Sequence, residues 1–193
     1  DFAAVRAWKL PLLELAARRL LAAPDHRWRA DYEAFLAGAG WLSDAGLFAA
    51  LREEQDGAPW WQWPATMRDR RGGALGRASR RIGDRVASFG AIQFFFNRQW
   101  QKLRAYAASQ RVRIFGDLPI YTALDCVDVW ANRSLFQLDP AGRPLAVSGV
   151  PPDAFSATGQ LWGNPLYHWP NNARRGFRWW IARLRRTFEL VDL

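Results

Sequence analysis

The sequence predicts an α/β chain: part of a (β/α)8 barrel together with a small helical subdomain. Three observations predict it. The strongest helical period runs from Asp84 to Ser109 and feeds directly into a short apolar segment, Val112 to Phe115, that suits a buried parallel strand. A second helical period, Arg175 to Leu190, feeds into Val191-Asp192-Leu193, which reads as the opening of another strand. Between them a long stretch rich in Pro, Gly, Asp and aromatics follows Gly116-Asp117, where a strand hands over to a loop. Helix–strand alternation with a conspicuous loop at the C-terminal end of a strand is the barrel pattern, and that end of the barrel carries the chemistry.

Asp1 to Leu21 reads as helical, with Val5, Trp8, Leu12, Leu15 and Arg19 at three- and four-residue steps. Pro11 sits in the first turn of the main helix or kinks it. Pro24-Asp25 ends the segment. Asp31 caps a short helix through Phe35 and Leu36 that Gly38 and Gly40 stop. Ser43 or Asp44 caps the next, which runs to Glu54. These helices form the helical subdomain, placed at residues 1–75, and residues 76–193 form the barrel part. Arg68 to Arg81 reads as a flexible, charged break. Its glycines lack the Gly-Lys-Ser/Thr ending and the preceding strand of a phosphate loop. On the Asp84–Ser109 helix, Val86, Phe89, Gln93, Phe96, Trp100, Leu103 and Ala107 form one stripe. On the last helix, Phe177, Trp180, Ile181, Leu184 and Phe188 share a face.

Composition narrows the function. The chain has 193 residues, 50% of them hydrophobic, enough to bury one sizeable core. Its single cysteine, Cys126, rules out an internal disulfide framework, and with no nearby His it lacks the base of a cysteine nucleophile. His26 and His168 stand alone, so no metal cluster is expected, and no cofactor. No signal-peptide pattern and no membrane-spanning run is present, so the expectation is a cytoplasmic protein with no membrane partner. A net charge of +9 invites a nucleic-acid reading, but the arginines are scattered rather than blocked, and no nucleic-acid partner is expected. Twelve Trp suit a saccharide cleft, because their faces stack on sugar rings, although core packing accounts for most of them.

The long stretch carries the candidate chemistry. Asp117 either accepts hydrogen bonds from a ligand at a strand end or shapes its own loop. Tyr121 either lines a cleft or packs in the core. Residues 149–160 read as a lid that Pro151-Pro152 stiffens. Asp153, Phe155 and Gln160 offer an acceptor, a stacking face and an amide, and Trp162 and Asn164 follow. Asp128 reads as a helix cap or loop anchor, and Cys126 as a small buried residue.

The words GDLPIY, DVWAN and GVPPDAFSATGQLWGNPLYHW, with Arg178-Trp179-Trp180 after them, resemble the 4-α-glucanotransferase (amylomaltase, disproportionating enzyme) family. KLPLLELA, WLSDAGLFAAL, Trp60 to Pro64 and Gln93 to Trp100 resemble it more weakly, in order. The resemblance implies transfer of α-1,4-glucan segments between maltooligosaccharides by a retaining double displacement. It implies that the lid arches over a glucan cleft, with Asp117 as a supporting carboxylate. It implies that Asp117, Tyr121, Asp153, Phe155, Gln160, Trp162 and Asn164 bind the glucan. Ala154 departs from the pattern, where an aromatic is expected. The nucleophile segment of the Arg-Ile-Asp-His type and the acid/base Glu are not in the sequence, so the chain reads as an internal stretch of the enzyme without its catalytic carboxylates. The rival readings are an α-glucan hydrolase of a related barrel family, a basic nucleic-acid-binding module and a degenerate glucan binder.

Overall fold

The computed structural model describes residues 1–192. Its contacts gather into two units that do not follow chain order: Asp1–Gly57 with Arg71–Tyr106, and Ala58–Arg70 with Ala107–Leu193.

The first unit is helical. Helix α1 (Phe2–Ala22) starts where the Asp1 carboxylate accepts from the backbone N–H groups of Ala3 and Ala4 at 2.9 and 3.1 Å, meeting two otherwise orphaned donors. It continues through Pro11. The face it buries is Ala17 and Leu20, whereas Val5, Trp8 and Leu12 of the expected stripe are exposed. Period shows that a helix has an apolar side, not which part of it finds a partner. Helix α2 (Arg29–Gly38) begins two residues before the expected cap. Asp31 therefore lies in its first turn, and its carboxylate takes Arg98 at 2.9 Å. Helix α3 (Leu42–Glu54) likewise starts before Ser43, with Asp44 in the first turn. Neither helix has a side-chain cap; acidic residues in the first turn favour the positive helix end instead.

The expected break at 68–81 is largely helix. After α4 (Ala65–Arg68) and a turn, α5 spans Gly72–Arg81 despite three glycines. Burial of Ala74, Ala78 and Ile82 overrides the poor helix propensity of glycine. Arg81 Nη2 donates to Glu54 Oε2 at 2.7 Å, and that bond holds the Glu54 carboxyl below its usual range. Helix α6 (Gly83–Ser109) matches the strongest sequence period. Its covered face is Ala91, Phe94 and Phe95, which pack with Ala17, Leu20 and Tyr32 into one core. Phe96 and Leu103 of the expected stripe are about half exposed. No single helix among the described residues is long and apolar enough to cross a membrane.

The second unit is loop-rich and built on indoles. Trp60, in a 3-10 turn (Trp60–Gln62), and Trp130, in α7 (Val127–Ala131), are fully buried. Trp63 meets Trp130 edge to face at 5.7 Å. Each indole N–H donates to a backbone carbonyl: Trp60 to Leu124 at 2.7 Å, Trp63 to Ala58 at 2.8 Å, Trp130 to Met67 at 3.1 Å. Buried indoles need such partners.

Residues 112–115 form no strand, contrary to the sequence expectation. The Ile114 carbonyl accepts from Asp192 N–H at 2.9 Å, but Ile114 N–H donates to the Asp192 side chain at 2.8 Å. A ladder needs a backbone carbonyl at that point, and a carboxylate stands there instead. Val112 and Phe115 are exposed, so most of this apolar run is uncovered among the described residues. Gly116 still packs tightly on this second segment: a Cβ there would lie 2.7 Å from Val191 Cγ1. Val191 is extended, and of the expected strand 191–193, Leu193 lies outside the described residues.

The long stretch has more regular structure than its composition suggests. Besides α7 and a 3-10 turn (Arg133–Leu135), it holds an antiparallel hairpin of β1 (Val147–Val150) and β2 (Gln160–Pro165). The register pairs Gly149 with Leu161 and Val150 with Gln160, with an irregularity between Val147 and Gly149. The single helix expected over 175–190 is two, α8 (Trp169–Arg174) and α9 (Arg178–Leu190). Gly176 and Phe177, both at positive φ, break them. Phe177, just before α9, and Ile181, Leu184 and Phe188 on it are exposed, so this apolar face too is uncovered.

Candidate functional site

The loop from Gly116 to Thr122 has no regular secondary structure, so side chains must fix its backbone. Three do so. The Pro119 carbonyl accepts from Arg183 Nη2 at 2.7 Å. The Ile120 carbonyl accepts from the Tyr167 hydroxyl at 2.7 Å. The Thr122 carbonyl accepts from Asn164 Nδ2 at 3.0 Å. Just beyond, Asp125 Oδ1 accepts from Trp60 N–H at 3.3 Å. The loop that carries Asp117 and Tyr121 is therefore tied to β2, to the segment after it and to α9.

Asp117 is exposed, and no hydrogen bond or ion pair holds its carboxylate among the described residues. It is free to accept from a ligand. Tyr121 is half-buried and belongs to an aromatic cluster: it stacks on Tyr167 (6.1 Å, 11°) and meets Trp162 at 6.1 Å. The cluster continues through Tyr167 to Phe136, Trp169, Trp179 and Trp180. Burial pushes the Tyr167 phenol up, while the nearby Arg183 guanidinium pulls it down. The net rise keeps the proton that the Ile120 bond requires.

The 151–159 loop of the hairpin, read from the sequence as a lid, is braced from within. Asp153 Oδ1 accepts from Phe155 N–H at 2.9 Å and Ser156 N–H at 2.8 Å, and Asp153 N–H donates to the Ser156 carbonyl at 3.0 Å. Ser156 Oγ donates to the Gly159 carbonyl at 2.7 Å. Gly159 closes the loop at φ +73, where an added Cβ would lie 2.5 Å from the Val150 carbonyl oxygen. This frame holds Phe155 out in solvent, 95% exposed. Gln160 Oε1 accepts from Trp162 Nε1 at 3.1 Å, which fixes the half-exposed indole on β2.

The structure thus divides the expected site residues. It brings Tyr121, Gln160 and Trp162 together, and leaves Asp117 and Phe155 as free groups. Asp153 forms the turn of the lid. Asn164 is engaged at both ends of its amide, taking the Ser148 hydroxyl at 3.4 Å and giving to Thr122. Gln160 also borders a shallow groove of ≈460 Å³ along the hairpin, with Gly149, Val150 and Leu161. Sequence reasoning missed Arg183, Tyr167 and Trp60 as the groups that hold the loop. Their partners are 47 to 64 residues away in sequence, and no local pattern signals them.

The other titratable groups serve packing. Asp128 Oδ1 accepts from Trp179 Nε1 at 2.9 Å, an anchor rather than a helix cap. Burial pushes the Cys126 thiol up, away from the reactive thiolate. Among the described residues no group of three or more His, Cys, Asp or Glu is placed to hold a metal.

Comparison with known proteins identifies what this arrangement resembles. The family described as 4-alpha-glucanotransferase matches residues 1–193. The chain is 45% identical over 195 residues to the chloroplastic/amyloplastic 4-alpha-glucanotransferase of Oryza sativa subsp. japonica, covering 100% of the chain and 33% of that protein. It is 44% identical over 199 residues to the Thermus thermophilus 4-alpha-glucanotransferase, covering 100% of the chain and 39% of that protein. The structure of the Streptococcus agalactiae amylomaltase in complex with acarbose superposes with a TM-score of 0.92 at 34% identity, over 100% of the chain and 39% of that protein. The chain therefore spans 33 to 39% of the length of these relatives.

Proposed function

The chain belongs to the 4-α-glucanotransferase family, and from that premise we propose that the whole protein transfers α-1,4-glucan segments between maltooligosaccharides. The reaction is a retaining double displacement: one carboxylate attacks the anomeric carbon, a second carboxyl protonates the leaving oxygen, and a 4-hydroxyl of another glucan then takes the glycosyl group. Both catalytic carboxyls lie outside these residues. Residues 76–193 contribute part of a (β/α)8 barrel, and the protein acts in the cytoplasm without a cofactor.

What this chain supplies is the glucan-facing side. The observation that carries the reading is the self-braced lid, which holds Phe155 in solvent while Trp162 stands against Tyr121. Aromatic faces stack on sugar rings, and Asp117 and Gln160 accept from or donate to hydroxyls. Asp153 and Asn164 act by shaping the lid and joining it to the Asp117 loop. A lid that excludes water lets a sugar acceptor win over hydrolysis. The acarbose bound by the S. agalactiae amylomaltase makes that compound a suitable probe of this side.

The test is product analysis. Incubated with maltotriose, the protein yields glucose together with longer oligosaccharides. Glucose and maltose alone would mean a hydrolase. The 193-residue chain by itself yields no transfer products; their appearance would place the catalytic carboxyls within it and overturn this assignment.

A further inference from the structure

Arg183 holds the Asp117 loop from outside the lid. Its Nη2 donates to the Pro119 carbonyl at 2.7 Å, two residues from Asp117 and two from Tyr121. Its guanidinium lies 5.3 and 5.4 Å from the Trp179 and Trp180 ring centroids, at i−4 and i−3 on the same helix, and its Nη1 is sealed from solvent. The side chain is thus pre-oriented before it meets the loop. Among the described residues no carboxylate pairs with it. A half-buried cation without a counter-charge is expensive to keep, and an apolar side chain would pack on the two indoles as well. What the guanidinium adds is a charged donor aimed at one backbone carbonyl, a stronger bond than a neutral one.

We propose that Arg183 is a positioning residue: through the Pro119 carbonyl it sets where Asp117 and Tyr121 stand for the glucan. This rests on the reading of that loop as glucan-binding. Asn164 of β2 and Tyr167 just after it hold the nearby Thr122 and Ile120 carbonyls, so the loop is gripped by three separate side chains. The Arg183 grip is the one anchored in α9, whose next residue, Val191, backs Gly116.

The test uses Arg183→Met, which keeps the stem over the indoles and removes the donor, and Arg183→Lys, which restores a donor. Two quantities are read: KM and kcat on maltotriose, and hydrogen exchange of the amides in 117–122. Arg183→Met raises KM by about tenfold, the scale of one charged hydrogen bond, and speeds exchange of 117–122 by a similar factor. Arg183→Lys keeps a charged donor but loses the planar group stacked on the indoles, so it falls between the parent and Arg183→Met in both. In an Asp117→Asn background, Arg183→Met adds less than about twofold to KM, because its effect runs through the loop already disabled. Unchanged exchange in Arg183→Met, a Lys variant as damaged as the Met variant, or fully additive losses with Asp117→Asn would each overturn the proposal. If the parent protein makes no transfer products from maltotriose, the glucanotransferase reading fails by itself, and the exchange comparison of Met and Lys decides the Arg183 grip alone.

Discussion

The Phe94 core and the Asp117 loop are held in opposite ways. Phe94, Phe95, Ala91, Leu20 and Tyr32 meet as apolar faces of helices whose own backbones are already satisfied. Such contacts are non-directional, and their strength follows the area removed from water. The Asp117 loop has little apolar cover: Phe115 and Ile120 are exposed. It is fixed by single directional bonds from Arg183, Tyr167 and Asn164 to the carbonyls of Pro119, Ile120 and Thr122. A packed core tolerates small adjustments among many contacts. A loop held by three bonds moves when one is lost. The difference suits the role proposed for this loop, which is to present Asp117 and Tyr121 to a ligand.

The largest test of this contrast pairs two buried aromatics. Phe94→Ala and Trp60→Ala each destabilise by ~3–5 kcal/mol in chemical denaturation, as large-to-small core changes do. Their local effects differ. Trp60 also donates to the Leu124 carbonyl, so its loss speeds amide exchange around 122–126, whereas loss of Phe94 leaves that segment unchanged. Equal exchange in the two variants would dissolve the distinction.

A smaller effect comes from Gly159→Ala. The left-handed φ and the Val150 carbonyl at 2.5 Å from the added methyl strain the closing turn of the lid, at a cost of ~1–2 kcal/mol. Exchange across β1 and β2 rises, and with a looser lid the ratio of hydrolysis to transfer rises as well. A variant with an intact hairpin and an unchanged product ratio would separate the lid from water exclusion.

The smallest is a pH effect. The Arg68 guanidinium hydrogen-bonded to Asp69, partly offset by burial and joined by that of Arg133, lowers its carboxyl from 3.8 to about 2. A depressed carboxyl stabilises the fold fully above its unfolded value and loses that contribution as pH falls through the folded one. The stabilisation is therefore present above pH 3.8 and fades towards pH 2. Asp69→Asn lowers the urea midpoint at pH 5 and flattens its fall between pH 4 and 2. A parallel fall in both proteins would mean that Asp69 carries none of it.

The same contrast explains what the sequence revealed. The α6 period announced a helix over 84–109, within one residue of the observed span, because side chains on one helix repeat at a fixed step. Period did not tell which face is covered: Leu103 and Phe188 carry the expected pattern and remain exposed. Glycines at 72, 73 and 76 hid α5, since tertiary burial of Ala74 and Ala78 outweighs local propensity. The words around Gly116 and Gly149 pointed to the candidate residues, yet not to their division of labour. Asn164 is expected from sequence as a ligand group, with no sign there that its amide donates to Thr122, 42 residues away. Long-range side-chain bonds to backbone leave no periodic trace.

The central claim is that the Asp117 loop and the lid form one glucan-facing unit. Hydrogen exchange of the protein with and without acarbose tests it most directly. The account predicts that amides in 117–122 and in 151–162 gain protection together, at the same ligand concentration. Protection confined to one segment, or absent from both at saturating ligand, would contradict it.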